Sequence, residues 1–273
     1  MMSDECPETK VADAISKAVI DHRVIALVVM STIASLMLEF AYKCSSRQPF
    51  FEKLSQKRKW VINSHLQRAP LAPLLLVGYV LAIYILATGC NVASAYMLTS
   101  AFLAATMDFQ EWVRFWPRDL PWEYIWHHIA VIVLGIQFCD LGLKSTWQWC
   151  IFMANIGVQW CTNYVSNLIF LSPSVRVCKW ATRCQFLVIP AKTCNVCIMC
   201  HKIKEAAETG TWGIAAMLTV TCLGYTYIFV KSASFYLRFD AQKYFSTHQG
   251  VWNRSAPLAE SEESIESGAK SQV

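Results

Sequence analysis

Long runs of apolar residues constrain the fold of this chain more than any other feature. Seven such stretches carry few or no charges. Most of them approach or reach the roughly 17 to 25 residues that a helix needs to cross a bilayer. The links between them are short, so little of the chain is left for a soluble domain. The sequence therefore predicts an all-α membrane protein whose spans are 24–42, 71–90, 92–107, 125–141, 147–170, 184–200 and 211–230.

The predicted bundle has about seven transmembrane helices, and one of them is irregular. Pro190 and Lys192 interrupt the 184–200 segment, and a re-entrant segment there would leave six spans. The flanks are polar, and the end of the chain has no apolar face to bury. We expect a polar N-terminus at 1–23, a first span and basic loop at 24–54, a transmembrane domain at 55–235, and a largely disordered acidic, Ser-rich tail at 236–273.

The cationic residues lie mostly on one side of this predicted bundle. Of 24 Lys and Arg residues, 17 fall in the first, third and fifth loops and the C-terminal segment, and six fall on the opposite side. Cytoplasmic loops of membrane proteins carry such an excess. We therefore expect a lumenal N-terminus and a cytosolic C-terminus.

The first loop, "KCSSRQPFFEKLSQKRKWVINSHLQRAP", combines seven cationic residues with one Glu. Such a patch can bind lipid headgroups or the phosphates of acyl-CoA, with Lys57, Arg58, Lys59 and Arg68 as the candidate ligands. The patch can equally do no more than fix the topology. Nucleic acid is not an expected partner, because the patch lies against a membrane and belongs to no recognisable binding module.

A polar stripe follows the 147–170 span. Its members recur at three- and four-residue spacing, which places them on one helix face. Polar side chains at this depth face a bundle interior or a wet cavity, so the stripe predicts either helix-to-helix hydrogen bonds or the wall of a lipid-binding cavity. Lys192, in the middle of another span, is a further candidate lipid ligand. The stripe consists of Asn155, Gln159, Thr162, Asn163 and Ser166.

Two adjacent histidines, His127 and His128, lie near the cytosolic start of the 125–141 span. A neutral imidazole that reaches a substrate can act as a general base. Asp108 lies at a similar predicted depth and can orient such a base. The histidines can also belong to an interfacial aromatic belt, and both interpretations stay open at this point.

Metal and cofactor chemistry has little support in this sequence. The chain has six histidines, and those other than the pair are scattered. "CNVCIMCH" contains a C-x-x-C-H pattern, but it lies at the end of an apolar helix rather than in a haem-binding domain. We expect no metal and no cofactor, with acyl-CoA as a co-substrate if the protein is an acyltransferase.

The order of several segments resembles the TLC-domain family, the endoplasmic reticulum (ER) membrane superfamily that includes the ceramide synthases. The segments are "KRKWVINSHLQRAP", "MDF", "WEYIWHHIAVIVLG" and "QWCTNYVSN", and the resemblance covers residues 55 to 235. It implies a helical bundle around a lipid-accessible cavity. In the ceramide-synthase branch the histidine pair acts with a later pair of aspartates, but residues 141 to 235 contain no Asp. The resemblance therefore points to a branch outside the ceramide synthases.

These observations lead to three functional hypotheses. The first is an ER protein of sphingolipid or phospholipid metabolism, transport or sensing that binds lipid in its bundle. The second is an acyl-CoA-dependent lipid N- or O-acyltransferase with His127 or His128 as base and Asp108 as the orienting group. The third is a seven-span receptor or transporter. Membrane lipids are the expected partners in each case, and a homo-oligomer or a membrane-protein partner stays open.

Overall fold

The computed structural model describes residues 7–47, 51, 56–115, 126, 129, 146–171 and 174–240. Throughout these ranges the regular secondary structure is helical, which confirms the all-α prediction for this part of the chain. The helices are α1 (Pro7–Asp21), α2 (Arg23–Ser46), α3 (Gln56–Arg68), α4 (Ala72–Thr88), α5 (Ser94–Phe115), α6 (Thr146–Leu171), α7 (Val175–Gln185), α8 (Val188–Glu208) and α9 (Trp212–Arg238).

Three helical stretches in the described residues are long and apolar enough to cross a membrane. They are Val24–Ser46, Val175–Glu208 and Trp212–Arg238. A fourth candidate joins Ile62–Arg68 to Ala72–Thr88 across a bend of 41°. The bend contains Pro70, which lacks the N–H that a continuous helix would need. The predicted count of seven spans is not confirmed, because most of 125–141 lies outside the described residues and two further helices are less apolar.

Those two helices are α5 and α6, and the packing of α6 explains its composition. It contacts α3, α4, α5, α7 and α8, which makes it the central helix of the described bundle. Its side chains Trp149, Cys150 and Met153 belong to the largest apolar core cluster. A helix surrounded by other helices can carry polar residues that a lipid-facing helix cannot. The lower hydropathy of α6 therefore follows from its position.

The α4 and α6 helices share an extensive contact, and two glycines allow their backbones to approach. A Cβ at Gly78 would overlap the backbone oxygen of Cys150. A Cβ at Gly157 would lie 2.8 Å from the backbone oxygen of Ala72. Neither contact is sterically allowed, so the two backbones can pack this closely only where glycine is present.

The α7 helix lies in a segment that the sequence predicts as a loop. Its buried residues Cys178, Ala181 and Gln185 follow helical spacing and face the protein. A turn at residues 186–187 separates it from α8. Pro190, expected to interrupt the span, is the third residue of α8, where a missing N–H breaks no intrahelical bond. The helix then continues to Glu208, beyond the predicted end at residue 200.

The bundle formed by α4, α6, α8 and α9 has two distinguishable ends. At one end, which we call the disulfide end, Cys90 is disulfide-bonded and the amide of Asn91 donates to the Thr146 hydroxyl at 3.0 Å. At the other end, which we call the basic end, Gln185, Lys192 and Tyr236 lie around one groove. Because α9 begins at the disulfide end and finishes at the basic end, the chain leaves this helix at the basic end. The predicted tail lies outside the described residues beyond Asp240.

Candidate functional site

A hydrogen-bonded network of polar side chains crosses the middle of the bundle. The amide nitrogen of Asn155 in α6 donates to the side-chain oxygen of Asn195 in α8 at 2.8 Å. The hydroxyl of Tyr79 in α4 donates to the side-chain oxygen of Asn155, and Asn195 donates to the backbone oxygen of Phe152 at 3.3 Å. Asn155 is 2% exposed and Asn195 is 0% exposed. The network therefore joins three helices, and its two Asn side chains are buried.

A second part of the network lies one turn further along α6. The amide of Gln159 donates to the hydroxyl of Tyr225 in α9 at 2.5 Å, and that hydroxyl also interacts with the side chain of Asn195. The five residues together connect α4, α6, α8 and α9. We call them the central network: Tyr79, Asn155, Gln159, Asn195 and Tyr225.

The remaining stripe residues have different surroundings. The Thr162 hydroxyl donates to backbone oxygens of its own helix, and its backbone oxygen accepts a 2.6 Å hydrogen bond from Gln185 of α7. Asn163 is half-buried and has a partner. Ser166 belongs to α6, but its side chain lies outside the described part of the structure.

The described part of the stripe joins neighbouring helices. Asn155, Gln159 and Thr162 face the interior as their spacing predicts. The Asn155 and Gln159 amides donate to side chains of α8 and α9, and contact of the stripe with a lipid stays a prediction. The cavity expected between 125–141 and 147–170 involves a segment that is largely outside the described residues, and it stays a prediction.

Asp108 and Arg68 form a buried ion pair. The guanidinium of Arg68 at the end of α3 donates to the Asp108 carboxylate in α5 at 2.6 Å, and the two side chains are 10% and 8% exposed. The guanidinium also contacts the Ser64 hydroxyl at 2.5 Å and lies 5.6 Å from the centre of the Trp160 ring. Arg68, predicted to bind headgroups or CoA, is therefore directed into the protein, and Asp108 stabilises its charge.

Two glutamines extend this polar cluster to α2. The amide of Gln67 donates to the Ala34 backbone oxygen at 2.7 Å. The amide of Gln110 donates to the backbone oxygen of Ser31 and to the hydroxyl of Ser35, both at 2.6 Å. The side-chain oxygens of both glutamines are buried and have no hydrogen-bond partner among the described residues.

The other candidate ligands in the basic loop are Lys57, Arg58 and Lys59, and of these only Lys59 has a described side chain. Lys57 and Arg58 belong to α3, but their side chains lie outside the described part. Lys59 is half-buried, and its ammonium lies 5.7 Å from the centre of the Phe51 ring. Nothing in the described residues brings these three cations together with Arg68 at one site.

Lys192 lies in a groove between α8 and α9 at the basic end. Its ammonium nitrogen is 5.6 Å from the centre of the Phe229 ring. In the described residues no carboxylate lies within ion-pair distance of it. The groove is open to the surface, and its cavity volume is about 20 Å³, room for about one water molecule. It is lined by Gln185, Phe186, Val188, Ile189, Lys192, Phe229, Ser232, Ala233 and Tyr236.

The predicted histidine pair lies outside the described residues, whereas the C-x-x-C-H segment, where no metal was expected, lies within them. His127 and His128 lie outside the described residues, so their role as a base stays a prediction; their neighbour Trp126 lies against Gly224 of α9. In the C-x-x-C-H segment, Cys197, Cys200 and His201 are exposed on α8. Across the described ranges no three His, Cys, Asp or Glu side chains are grouped as metal ligands.

Three members of the central network, and the groove residues other than Lys192, were not identified from the sequence. Asn195 interrupts an apolar run, so the rule that selected the α6 stripe would also have selected it. Gln185 comes from a helix that was not predicted. Tyr79 and Tyr225 resemble ordinary interfacial aromatic residues in sequence, and only the packing of α4 and α9 against α6 shows their role.

Comparisons with models of protein families, with curated proteins and with solved structures found nothing that matches this chain.

Proposed function

We propose that this chain is a multi-pass membrane protein that binds a lipid in the groove at Lys192, and that it is a TLC-like protein outside the ceramide-synthase branch. The observation that carries this proposal is the position of a cation in an open, largely apolar groove between two candidate spans. Lys192 is the fifth residue of α8, about one turn from the start of that helix, and a charged residue within a span costs free energy unless it is paired or solvated. A bound lipid with a polar headgroup would offset that cost.

The groove suits a lipid because its lining combines apolar and polar side chains. Phe186, Val188, Ile189 and Phe229 offer apolar contacts to acyl chains. Gln185, Ser232, Tyr236 and the Lys192 ammonium supply groups that can bond a headgroup. Apolar walls with a few polar groups are typical of small-molecule sites.

Two independent features support the proposed orientation, with the basic end in the cytosol. The basic end carries α7, with three cationic residues and no acidic residue. The disulfide end carries the bonded Cys90, and disulfides persist in oxidising compartments such as the ER lumen. The same orientation gives a cytosolic C-terminus, and residence in the ER belongs to this proposal.

The experiment is a lipid analysis of the purified full-length protein. The wild-type protein, Lys192→Met and Lys231→Met are purified in the same detergent, and the bound lipids are extracted and quantified by mass spectrometry. Lys231 is a matched control because it is exposed and lies over Tyr227 rather than in the groove. We expect lipid with the wild type and the control and a clear loss with Lys192→Met. Absence of bound lipid from all three proteins would contradict the proposed function.

A further inference from the structure

We infer that the groove at Lys192 selects an anionic phospholipid, whose phosphate lies at the Lys192 ammonium, and that the exposed cationic face of α7 attracts such lipids at the adjoining surface. This inference rests on the proposed function and adds the headgroup class and a second binding element. Three observations carry it: the position of α7 relative to the groove, the arrangement of its cations, and the distribution of acidic residues.

The C-terminal end of α7 borders the groove. Gln185, its last residue, lines the groove and also donates to Thr162 in α6, so the end of α7 forms part of the groove wall. Cys178 and Ala181 fix the helix by packing against Tyr236 and Val165. The opposite face of α7 is therefore held in a defined orientation, directed away from the bundle, on a helix whose end borders the groove.

That opposite face is cationic and carries a large aromatic residue. At 100° per residue, Arg176, Lys179, Trp180 and Arg183 fall within an arc of about 100°, and all four are exposed, Trp180 by 55%. Phe186 and Leu187 continue the exposed surface into the turn before α8. Basic side chains with a Trp and adjacent apolar residues are the composition that binds anionic lipid at a membrane interface.

Acidic residues are few near the groove in sequence. The sequence has no Asp or Glu from residue 141 to residue 204, or from 209 to 239, and Asp240 follows at the basic end. The α8 cations at the disulfide end differ: Lys202 pairs with Glu205 at 2.8 Å and Lys204 with Glu208 at 3.7 Å. Two cations of α8 are thus paired within the helix at one end, while Lys192 at the other end has no carboxylate within ion-pair distance among the described residues.

The test compares lipids that differ only in headgroup charge. Full-length protein in detergent is titrated with phosphatidylglycerol or with phosphatidylcholine of the same acyl chains, and binding is followed by native mass spectrometry. The variants are Lys192→Gln, Lys192→Arg, and the triple change Arg176→Gln, Lys179→Gln, Arg183→Gln. Lys204→Gln is the matched control, because it removes one cation from the same helix at the disulfide end.

We expect the wild type to prefer phosphatidylglycerol over phosphatidylcholine by at least about tenfold. Each basic residue near a phosphate contributes about a fivefold change in affinity. Lys192→Gln should therefore lower that preference by about fivefold without changing phosphatidylcholine binding, and the α7 triple variant should lower it by a similar or larger factor. Lys192→Arg and Lys204→Gln should retain it, and millimolar inorganic phosphate should not displace the lipid.

Two results would overturn the inference while leaving the proposed function intact. The first is equal affinity for the two lipids in the wild type. The second is an unchanged preference in Lys192→Gln and in the triple variant, with both proteins monodisperse and as thermally stable as the control. Displacement of the lipid by inorganic phosphate would also overturn it, since the site would then recognise free phosphate. Failure of the wild type to bind either lipid would instead contradict the proposed function itself.

Discussion

Asn195 and Lys192 lie three residues apart on α8, less than one helical turn, yet their surroundings differ. Asn195 is fully buried and bonds to Asn155 and to the backbone of Phe152. Lys192 is half-buried, lies over Phe229 and has no carboxylate partner in the described ranges. The first residue is satisfied by the protein, whereas the second has an unmet electrostatic requirement.

This difference separates structural polar residues from binding residues in the bundle. A buried polar group whose partners all come from other helices fixes their packing, and losing one partner costs stability. A charged group left without a counter-charge at membrane depth costs free energy until a ligand supplies one. The central network and the Arg68–Asp108 pair belong to the first kind, and we propose that Lys192 belongs to the second.

The largest expected effect comes from breaking the Arg68–Asp108 pair. Asp108→Ala removes a carboxylate that a buried guanidinium contacts, so we expect the free energy of unfolding to fall by about 3 to 5 kcal/mol. Denaturant titration in detergent, followed by Trp fluorescence, measures it. Glu208→Ala is the control, because its ion pair with Lys204 is exposed and such pairs contribute about 0 to 1 kcal/mol. Equal losses in the two variants would show that the pair does not stabilise the bundle.

The next effect concerns the close contact between α4 and α6 that positions the central network. Gly78→Ala places a methyl group against the Cys150 backbone oxygen, so we expect a loss of about 1 to 3 kcal/mol. Gly213→Ala in α9 is the matched control, because no atom lies within 4 Å of the added carbon. There, alanine should be neutral or stabilising. A Gly78→Ala protein as stable as this control would contradict the close packing.

A smaller effect is expected within the central network. Asn195→Val removes the acceptor of Asn155, so the free energy of unfolding should fall by about 1 to 2 kcal/mol. The amount of bound lipid should change little. Thr193→Val serves as the control, since its exposed hydroxyl bonds only to a backbone oxygen of α8 itself. If Asn195→Val abolished lipid binding without lowering stability, the central network would be part of the binding site. The distinction between a structural Asn195 and a lipid-binding Lys192 would then fail.

The smallest effect on stability is expected at Lys192. In delipidated protein, Lys192→Met should leave the free energy of unfolding within about 0.5 kcal/mol of the wild type, or raise it, because an unpaired charge is removed from an apolar groove. Thermal unfolding before and after adding phosphatidylglycerol measures both states. Only the wild type should gain stability from the lipid. A loss in the delipidated variant as large as that of Asn195→Val would make Lys192 a structural residue.

The sequence predicts the helices better than it predicts their contacts. Apolar runs and helical spacing locate most of the described helices and the inward face of α6, because both depend on local sequence. The partners of that face, Asn195 and Tyr225, depend on which helices meet in the folded bundle. Arg68 shows the same limit: in sequence it ends a basic cluster, but at the end of α3 it turns inward to Asp108. The amphipathic α7 was not predicted because eleven polar and apolar residues between two spans also fit a loop.

The most direct test of lipid binding at Lys192 is photo-crosslinking in a membrane. Full-length wild type and Lys192→Gln are reconstituted with phosphatidylglycerol that carries a photoactivatable acyl chain, and the labelled peptides are identified by mass spectrometry. We predict labelling concentrated at the groove residues Ile189, Phe229 and Ala233 in the wild type and strongly reduced there in the variant. Equal labelling of both proteins, spread over the exposed faces of α2 and α4, would contradict a lipid site at Lys192.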